Sequence, residues 1–285
     1  MKFGVNTFIW SAGFDASIPL QSISDAGLDG IEVPVFSAAD LDVKALKQAL
    51  ADNDFGCTFC SVNPEGCNPI SEDADVRRRT IEHWKDVIKT AGDVDAELIA
   101  GPTYAPVGYL PGRRRNDDEW RWAVEFHQAL GDTLDQANVE IAIEPLNRFE
   151  TYFLNTVDDA VRLADEIGHP RIGLLVDTFH SHIEEKDTAA AYRRASKHLK
   201  HVHTCENDRG TPMTGQVPWV AVFDALRDIG YDRWLTIESF NSNIPQLSAA
   251  TAIWRDLAPK MDDIAFQGSA NLRQAWAAAQ ARGRL

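Results

Sequence analysis

Short apolar runs alternate along the chain with longer stretches in which apolar residues recur every three or four positions. The short runs are Phe3–Phe8, Gly30–Val35, Thr58–Val62, Leu98–Pro102, Val139–Glu144, Ile172–Asp177, His201–Thr204 and Trp234–Glu238. Nearly continuous apolar runs of this length suit parallel strands covered by helices, because both faces of such a sheet are buried. Between them Ile81, Trp84, Ile88 and Ala91 recur at helical spacing. Ala123, Phe126, Leu130 and Leu134 do the same, as do Val157, Ala160, Ala164 and Ile167. Asp, Ser and Thr open many of these stretches, and Gly92, Gly168 and Gly230 are placed to close three of them.

Eight strand–helix units predict an α/β fold, a (β/α)8 TIM barrel that fills residues 1–285 as a single domain. A helical tail covers about 262–285, with its helix predicted over Leu272–Arg282. The competing doubly wound open sheet calls for a Gly-rich phosphate turn after the first strand, and NTFIWSAGF has none.

Charge and composition narrow the function. Lys and Arg number 28 against 43 Asp and Glu, a formal net charge of −15. Nucleic acid is bound through phosphate neutralisation, so a chain this acidic lacks the footprint of a nucleic-acid-binding protein. No run approaches the roughly 18 apolar residues of a membrane span. The N-terminal apolar residues are broken up by Gly4, Asn6 and Thr7, unlike a secretory signal, and the chain reads as cytoplasmic with reduced thiols. Cys57 and Cys60 form a CxxC inside a strand-like run with no second pair at finger spacing, so they read as buried small hydrophobes.

A barrel places its active site at the carboxyl ends of its strands. Strands five to eight end in IAIE, LLVD, HVH and LTIE, so their terminal polar residues are Glu144, Asp177, His203 and Glu238. A charge closing a buried strand is costly unless it is paired or binds a metal. The intervals of 33, 26 and 35 residues are each one strand–helix unit, so four adjacent strands contribute one residue apiece. Three carboxylates and one imidazole form a mostly oxygen donor set that favours Mn²⁺, Co²⁺ or Mg²⁺ over structural zinc.

IEPLNRFE, VDTFH, HTCENDR and IESF together resemble the signature segments of the D-tagatose 3-epimerase and D-psicose (D-allulose) 3-epimerase family, which belongs to the xylose-isomerase-like barrels. The resemblance spans the chain and is strongest in its second half. It implies one divalent ion per subunit, foremost Mn²⁺, held by Glu144, Asp177, His203 and Glu238. It implies that Glu144 and Glu238 are also the acid/base pair, and that Glu150, His180 and Arg209 contact substrate. It further implies inversion of C3 of a free ketose through a cis-enediolate, and a homodimer or homotetramer. The ketose is of the psicose/fructose, tagatose/sorbose or ribulose/xylulose type. Inverting a carbon beside a ketone needs a proton removed from one face and returned to the other, which two positioned carboxylates can do.

The same barrel also hosts aldose–ketose and hydroxypyruvate-type isomerases and inosose dehydratases. Isomerases move a proton along one face and do not need two bases. A non-catalytic sugar-binding barrel would not need the metal ligands. An endonuclease-IV-like enzyme would need a histidine-rich multi-zinc site and a basic groove, and this chain has neither.

Several other residues carry expectations. His201 shares strand parity with His203 and reads as a satisfied core histidine one layer below, and His182 reads as surface. Glu206 is expected to partner Arg209 from behind, and Asn147 and Arg148 to stabilise the strand-five loop. Arg77–Arg79 and Arg113–Arg115 read as solvated faces, and Phe8, Trp10 and Phe14 are candidates for a pocket wall. The loops at 63–67 and 101–110 depart from the family, and Cys205 stands where glycine is common. None of these departures is expected to touch the metal ligands.

Overall fold

The computed structural model describes residues 1–283. Eight parallel strands close into a barrel in chain order: β1 (Lys2–Asn6), β2 (Gly30–Pro34), β3 (Gly56–Cys60), β4 (Leu98–Gly101), β5 (Glu140–Ile143), β6 (Ile172–Asp177), β7 (Leu199–His203) and β8 (Trp234–Ile237). Closure is made by β1 against β8, with Lys2 opposite Trp234 and Val5 opposite Ile237. The predicted (β/α)8 barrel is the fold, and all eight apolar runs overlap a strand. The ends move for local reasons. β1 stops at Asn6 because the Asn6 side chain accepts from Phe8 N–H and winds Thr7–Ile9 into a short 3-10 turn.

The outer layer is α1 (Leu20–Asp25), α2 (Val43–Asn53), α3 (Ala74–Asp93), α4 (Asp117–Ala137), α5 (Val157–Ile167), α6 (Thr178–Glu184), α7 (Thr188–Ala195), α8 (Trp219–Asp228), α9 (Pro245–Thr251) and α10 (Met261–Arg282). α4 opens with a capping box between Asn116 and Glu119. α5 buries Val157, Ala160, Leu163, Ala164 and Ile167 as one stripe and ends at Gly168 with φ +68°.

Two helix readings need correction. Gly92 lies inside α3, packed towards Ala137, and the chain turns instead at Asp95 with φ +59°. α10 begins at Met261, about three turns before the predicted Leu272, because the polar stretch Gln267–Ser269 masks its periodicity. Gly268 lets α10 sit against the barrel, since a Cβ there would lie 2.7 Å from Pro212. Residues 284 and 285 of the predicted tail lie outside the described residues. Among the described residues no helix is long and apolar enough to cross a membrane.

The barrel interior is divided. On the β4–β6 side it is filled by Leu98, Ala100, Ala142 and Leu175. At the amino end the Trp234 indole lies across Gly30 and Gly56, where any Cβ would come within 2.7 Å of it. Above that floor, β1, β2, β3 and β7 turn Asn6, Glu32, Thr58 and His201 inward, all fully buried or nearly so. This polar band lies directly below the carboxyl ends of β7 and β8.

Candidate active site

The structure brings Glu144, Asp177, His203 and Glu238 together at the carboxyl end of the barrel. Each is buried and offers one ligand atom, and those atoms all lie within 4.8 Å of one another. His203 Nδ1 faces Glu144 Oε1 at 3.8 Å, Asp177 Oδ2 at 3.7 Å and Glu238 Oε2 at 3.4 Å. Two of the facing atoms, Glu144 Oε1 and His203 Nδ1, are buried with no hydrogen-bond partner. Such orphans are costly, and a cation among them would satisfy both.

The electrostatics point the same way. Burial, together with the negative charges of Glu238 and Asp177, holds the Glu144 carboxyl well above its usual range, despite His203 and Arg209. Burial opposes charge on His203, but Glu32 and Glu238 outweigh it and push the imidazole up. A site that strains to acquire positive charge is what a hard divalent ion relieves, and a donor set of three oxygens and one nitrogen suits such an ion. The residues present therefore fit a divalent metal.

Asp177 serves two elements at once. Its Oδ1 caps α6, accepting from Phe179 N–H at 2.5 Å and His180 N–H at 3.4 Å. Its Oδ2 accepts from Arg209 Nη1 at 2.8 Å, and the same nitrogen donates to Glu238 Oε2 at 2.8 Å. The Arg209 cation holds the Asp177 carboxyl well below the usual range against the cost of burial. Arg209 sits at φ +63°, between the rings of Phe179 and Phe240, whose centroids lie 4.2 and 5.3 Å from its guanidinium carbon.

His180, the third residue of the helix that Asp177 caps, accepts on Nδ1 from the backbone N–H of Asn147 at 3.0 Å. Burial lowers its pKa to about 3, so the ring is neutral, and Arg209 Nη2, which can only donate, lies 3.1 Å from its Nε2. That nitrogen is 3.6 Å from Glu144 Oε1. Glu150 accepts from Asn147 Nδ2 at 2.7 Å, and burial raises its pKa. The structure thus gathers Glu150, His180 and Arg209 at one rim of the site, with Asn147 tying Glu150 to His180 and Arg209 meeting His180 directly. Arg148 pairs with the buried Glu184.

Above these groups lies a cavity of about 170 Å³, walled by Phe8, Phe36, Phe240 and Leu247 and floored by Glu144, His203 and Glu238. It opens towards a cleft of about 430 Å³ that includes Asp208, Trp254 and Arg255. Of the candidate wall aromatics only Phe8 lines the cavity. Trp10 packs on Phe266 and donates to Asp262, and Phe14 is half-buried against the core. In the departing strand-four loop Val107 reaches the cavity, whereas Tyr109 stacks edge-on against Tyr152.

Three expectations are corrected here. Glu206 does not touch the Arg209 side chain. It is a buried hub for its own loop and accepts from the backbone N–H groups of Asn207, Met213 and Val217 and from Trp219 Nε1. Arg113–Arg115 is a solvated face only in part: Arg113 and Arg114 are exposed, while Arg115 is half-buried. Arg113 forks onto Glu119 at 2.7 and 3.0 Å, and Arg115 reaches Phe153 O and Asp159. Cys205 does touch the site, because its thiol lies 3.2 Å from Asp177 Oδ2.

Glu32 is the residue the sequence reading passed over. It lies fully buried in β2 and accepts four side-chain hydrogen bonds. Oε1 accepts from Asn6 Nδ2 at 2.9 Å and His203 Nε2 at 2.8 Å. Oε2 accepts from Thr58 Oγ1 at 2.9 Å and His201 Nε2 at 2.8 Å. His201 is thereby the core histidine expected, but it is satisfied only at Nε2, its Nδ1 having no partner among the described residues. The available signal was a charge in the middle of the apolar run GIEVPV.

The family description "Xylose isomerase-like TIM barrel" matches residues 20–263. A Synechocystis sp. protein named "Probable ketose 3-epimerase" is 36% identical over 97% of this chain and 97% of its own. An L-ribulose 3-epimerase of Mesorhizobium japonicum is 33% identical over 90% of this chain and 88% of its own. Among solved structures, an L-ribulose 3-epimerase superposes with a TM-score of 0.93 at 32% identity, covering 100% of this chain and 97% of that one. A D-allulose 3-epimerase from Methylomonas sp., in complex with D-allulose, superposes with a TM-score of 0.91 at 27% identity, covering 96% and 97%.

Proposed function

The chain belongs to the xylose isomerase-like TIM barrels and, among them, to the ketose 3-epimerases, and on that premise we propose that it is a divalent-metal-dependent isomerase that inverts C3 of a free ketose. The observation that carries this reading is the convergence of four buried strand-end ligands beneath a sugar-sized cavity. Glu144, Asp177, His203 and Glu238 would hold the ion. Once bound, Mn²⁺, or Co²⁺ or Mg²⁺ in its place, supplies positive charge that stabilises the charge developing on the sugar oxygens during proton removal.

Glu144 and Glu238 close β5 and β8, so they approach the cavity from different sides of the barrel mouth. One takes the C3 proton and the other returns a proton to the opposite face of the cis-enediolate, with roles exchanged for the other epimer. Arg209 and the neutral His180 offer donors to the carbonyl and its neighbouring hydroxyls. Glu150 offers an acceptor, and Asn147 keeps both His180 and Glu150 in place. Phe8, Phe36 and Phe240 exclude water from the reacting carbons. The substrate is of the psicose/fructose, tagatose/sorbose or ribulose/xylulose type, a range that takes in the sugars for which a D-psicose 3-epimerase and an L-ribulose 3-epimerase among the relatives are named.

The test is epimerisation of a ketose panel in D₂O, with chelated and Mn²⁺-reconstituted enzyme, read by NMR. Deuterium at C3 together with the C3 epimer, in the metal-loaded enzyme alone, is the expected result. Label at C2 of an aldose product, or at C1 of recovered ketose, would make the protein an aldose–ketose isomerase. No exchange with any free ketose would reject the proposal.

A further inference from the structure

We propose that Glu32 is a positioning residue for the metal site, acting through His203. The inference rests on the reading of Glu144, Asp177, His203 and Glu238 as metal ligands. It adds that β2, from the opposite side of the barrel, determines which nitrogen of His203 can ligate. A histidine ligand must present a bare lone pair, and the proton on its other nitrogen is fixed by whatever that nitrogen bonds. Glu32 as a carboxylate is an acceptor only. Its Oε1 lies 2.8 Å from His203 Nε2, so the proton is held on Nε2 and Nδ1 is left towards the three carboxylates.

Glu32 is itself held rigidly. Asn6 donates to the same Oε1, while Thr58 and His201 donate to Oε2, so both oxygens are committed and the carboxylate cannot rotate. The two histidines are stacked edge to face with ring centroids 5.1 Å apart. They are successive inward residues of β7, each bound to one oxygen of the same carboxylate. An apolar residue at position 32 would free the His203 ring to turn or to take its proton on Nδ1.

The orientation of the four donors makes the proposal testable with three variants. In Glu32→Gln the amide oxygen can stay with Asn6 and His203, because the amino group is accommodated at the other end. There the Thr58 hydroxyl can turn to accept, and His201 can move its proton to its unpartnered Nδ1. Glu32→Gln therefore keeps His203 oriented and removes only the charge. Glu32→Leu has similar bulk and removes both. Thr58→Val removes a bond to Glu32 without touching His203.

Mn²⁺ affinity is measured by calorimetry on the full-length protein, with folding checked by circular dichroism. The His203 proton is located from ¹⁵N spectra of histidine-labelled, Mg²⁺-saturated protein. Second contacts of this kind are worth about 10–100-fold in metal affinity. The expected result is a loss of that size for Glu32→Leu, a smaller loss for Glu32→Gln, and about wild-type binding for Thr58→Val. In the wild type the proton should be on Nε2 of His203. The inference is overturned if folded Glu32→Leu binds Mn²⁺ as the wild type does, if Thr58→Val loses as much as Glu32→Leu, or if the wild-type proton lies on Nδ1. Should Glu32→Leu fail to fold, Glu32→Gln and the wild-type proton position decide. A wild-type protein that binds no divalent ion overturns the metal reading itself. The proton position, then read in the metal-free protein at a pH where the ring is neutral, still decides the role of Glu32.

Discussion

Replacing Glu206 with Gln should destabilise the protein far more than its isosteric size suggests. Glu206 is fully buried and has no cationic partner among the described residues. Its Oε1 accepts from Asn207 N–H and Val217 N–H, both at 3.0 Å. Its Oε2 accepts from Met213 N–H at 2.8 Å and Trp219 Nε1 at 2.9 Å. Glutamine fills the same volume but carries one oxygen and one amino group. Whichever way it turns, two of the four donors meet an N–H₂ and lose their acceptor. A buried donor left unpaired costs about 1–3 kcal/mol, so the pair comes to about 4 kcal/mol. For a chain of this length each kcal/mol lowers Tm by about 2–4 °C, which gives a fall of roughly 10 °C.

The damage should also reach substrate binding. Glu206 O accepts from Arg209 N–H at 2.9 Å, and the loop that Glu206 organises holds Arg209 in its left-handed conformation. A looser loop weakens the hold on substrate before it affects proton transfer, so KM should rise more than kcat falls. Urea unfolding followed by circular dichroism gives the free energy, and steady-state epimerisation gives the kinetic split. The reasoning fails if Glu206→Gln costs less than about 1 kcal/mol at unchanged m-value, because two orphaned donors cannot be that cheap.

Two further predictions concern the barrel. His127 is fully buried between Thr103 Oγ1 and Ala123 O, and burial lowers its pKa from 6.5 to about 4. Between those values the unfolded chain takes up a proton that the folded chain refuses, so stability rises with pH through that window and is lost as pH falls through it. The shift corresponds to about 3 kcal/mol. The stability difference between wild type and His127→Gln, measured by urea unfolding from pH 7 to 4, should change by about that amount, and parallel profiles would contradict it. Gly30→Ala places a Cβ 2.1 Å from Gly56 O and 2.7 Å from the Trp234 ring, so overpacking should cost about 3 kcal/mol or more. Gly13→Ala, with nothing within 4 Å, should leave Tm unchanged, and equal melting of the two variants would refute the account of the barrel floor.

What was legible in the sequence follows from how local each signal is. The strands were legible because a parallel strand buried on both faces is written as an uninterrupted apolar run. The four strand-end residues were legible because a charge directly after such a run is expensive, and four of them on consecutive strands share one location. Glu32 carries the same kind of signal but lies in mid-strand. Its reason for being there, two histidines on β7, is some 170 positions away along the chain. Glu206 was correctly singled out but given the wrong partner. Three of its four donors are backbone N–H groups, which every residue but proline has and which leave no mark in a sequence. α10 was half-legible because, after Ile264 and Ala265, its buried face continues through Gly268 and Ser269, which carry no hydrophobic period.

The fold and the site are specified by the same contacts. Asp177 ends β6, starts α6 with one oxygen and faces the site with the other, so its placement fixes where His180 begins its helix. Asn147 binds His180 through its backbone and Glu150 through its side chain, which locks two neighbouring loops to each other. Glu32 joins β2 to β7 across the barrel and turns one ring nitrogen of His203 towards the carboxylates. Glu206 closes the loop that carries Arg209. In each case a buried polar group that would be costly alone is satisfied by an element that must be in register for the barrel to close. Geometry of the sort proton transfer requires is then a consequence of correct folding, and residues one layer behind the reacting groups should be as intolerant of change as those groups themselves.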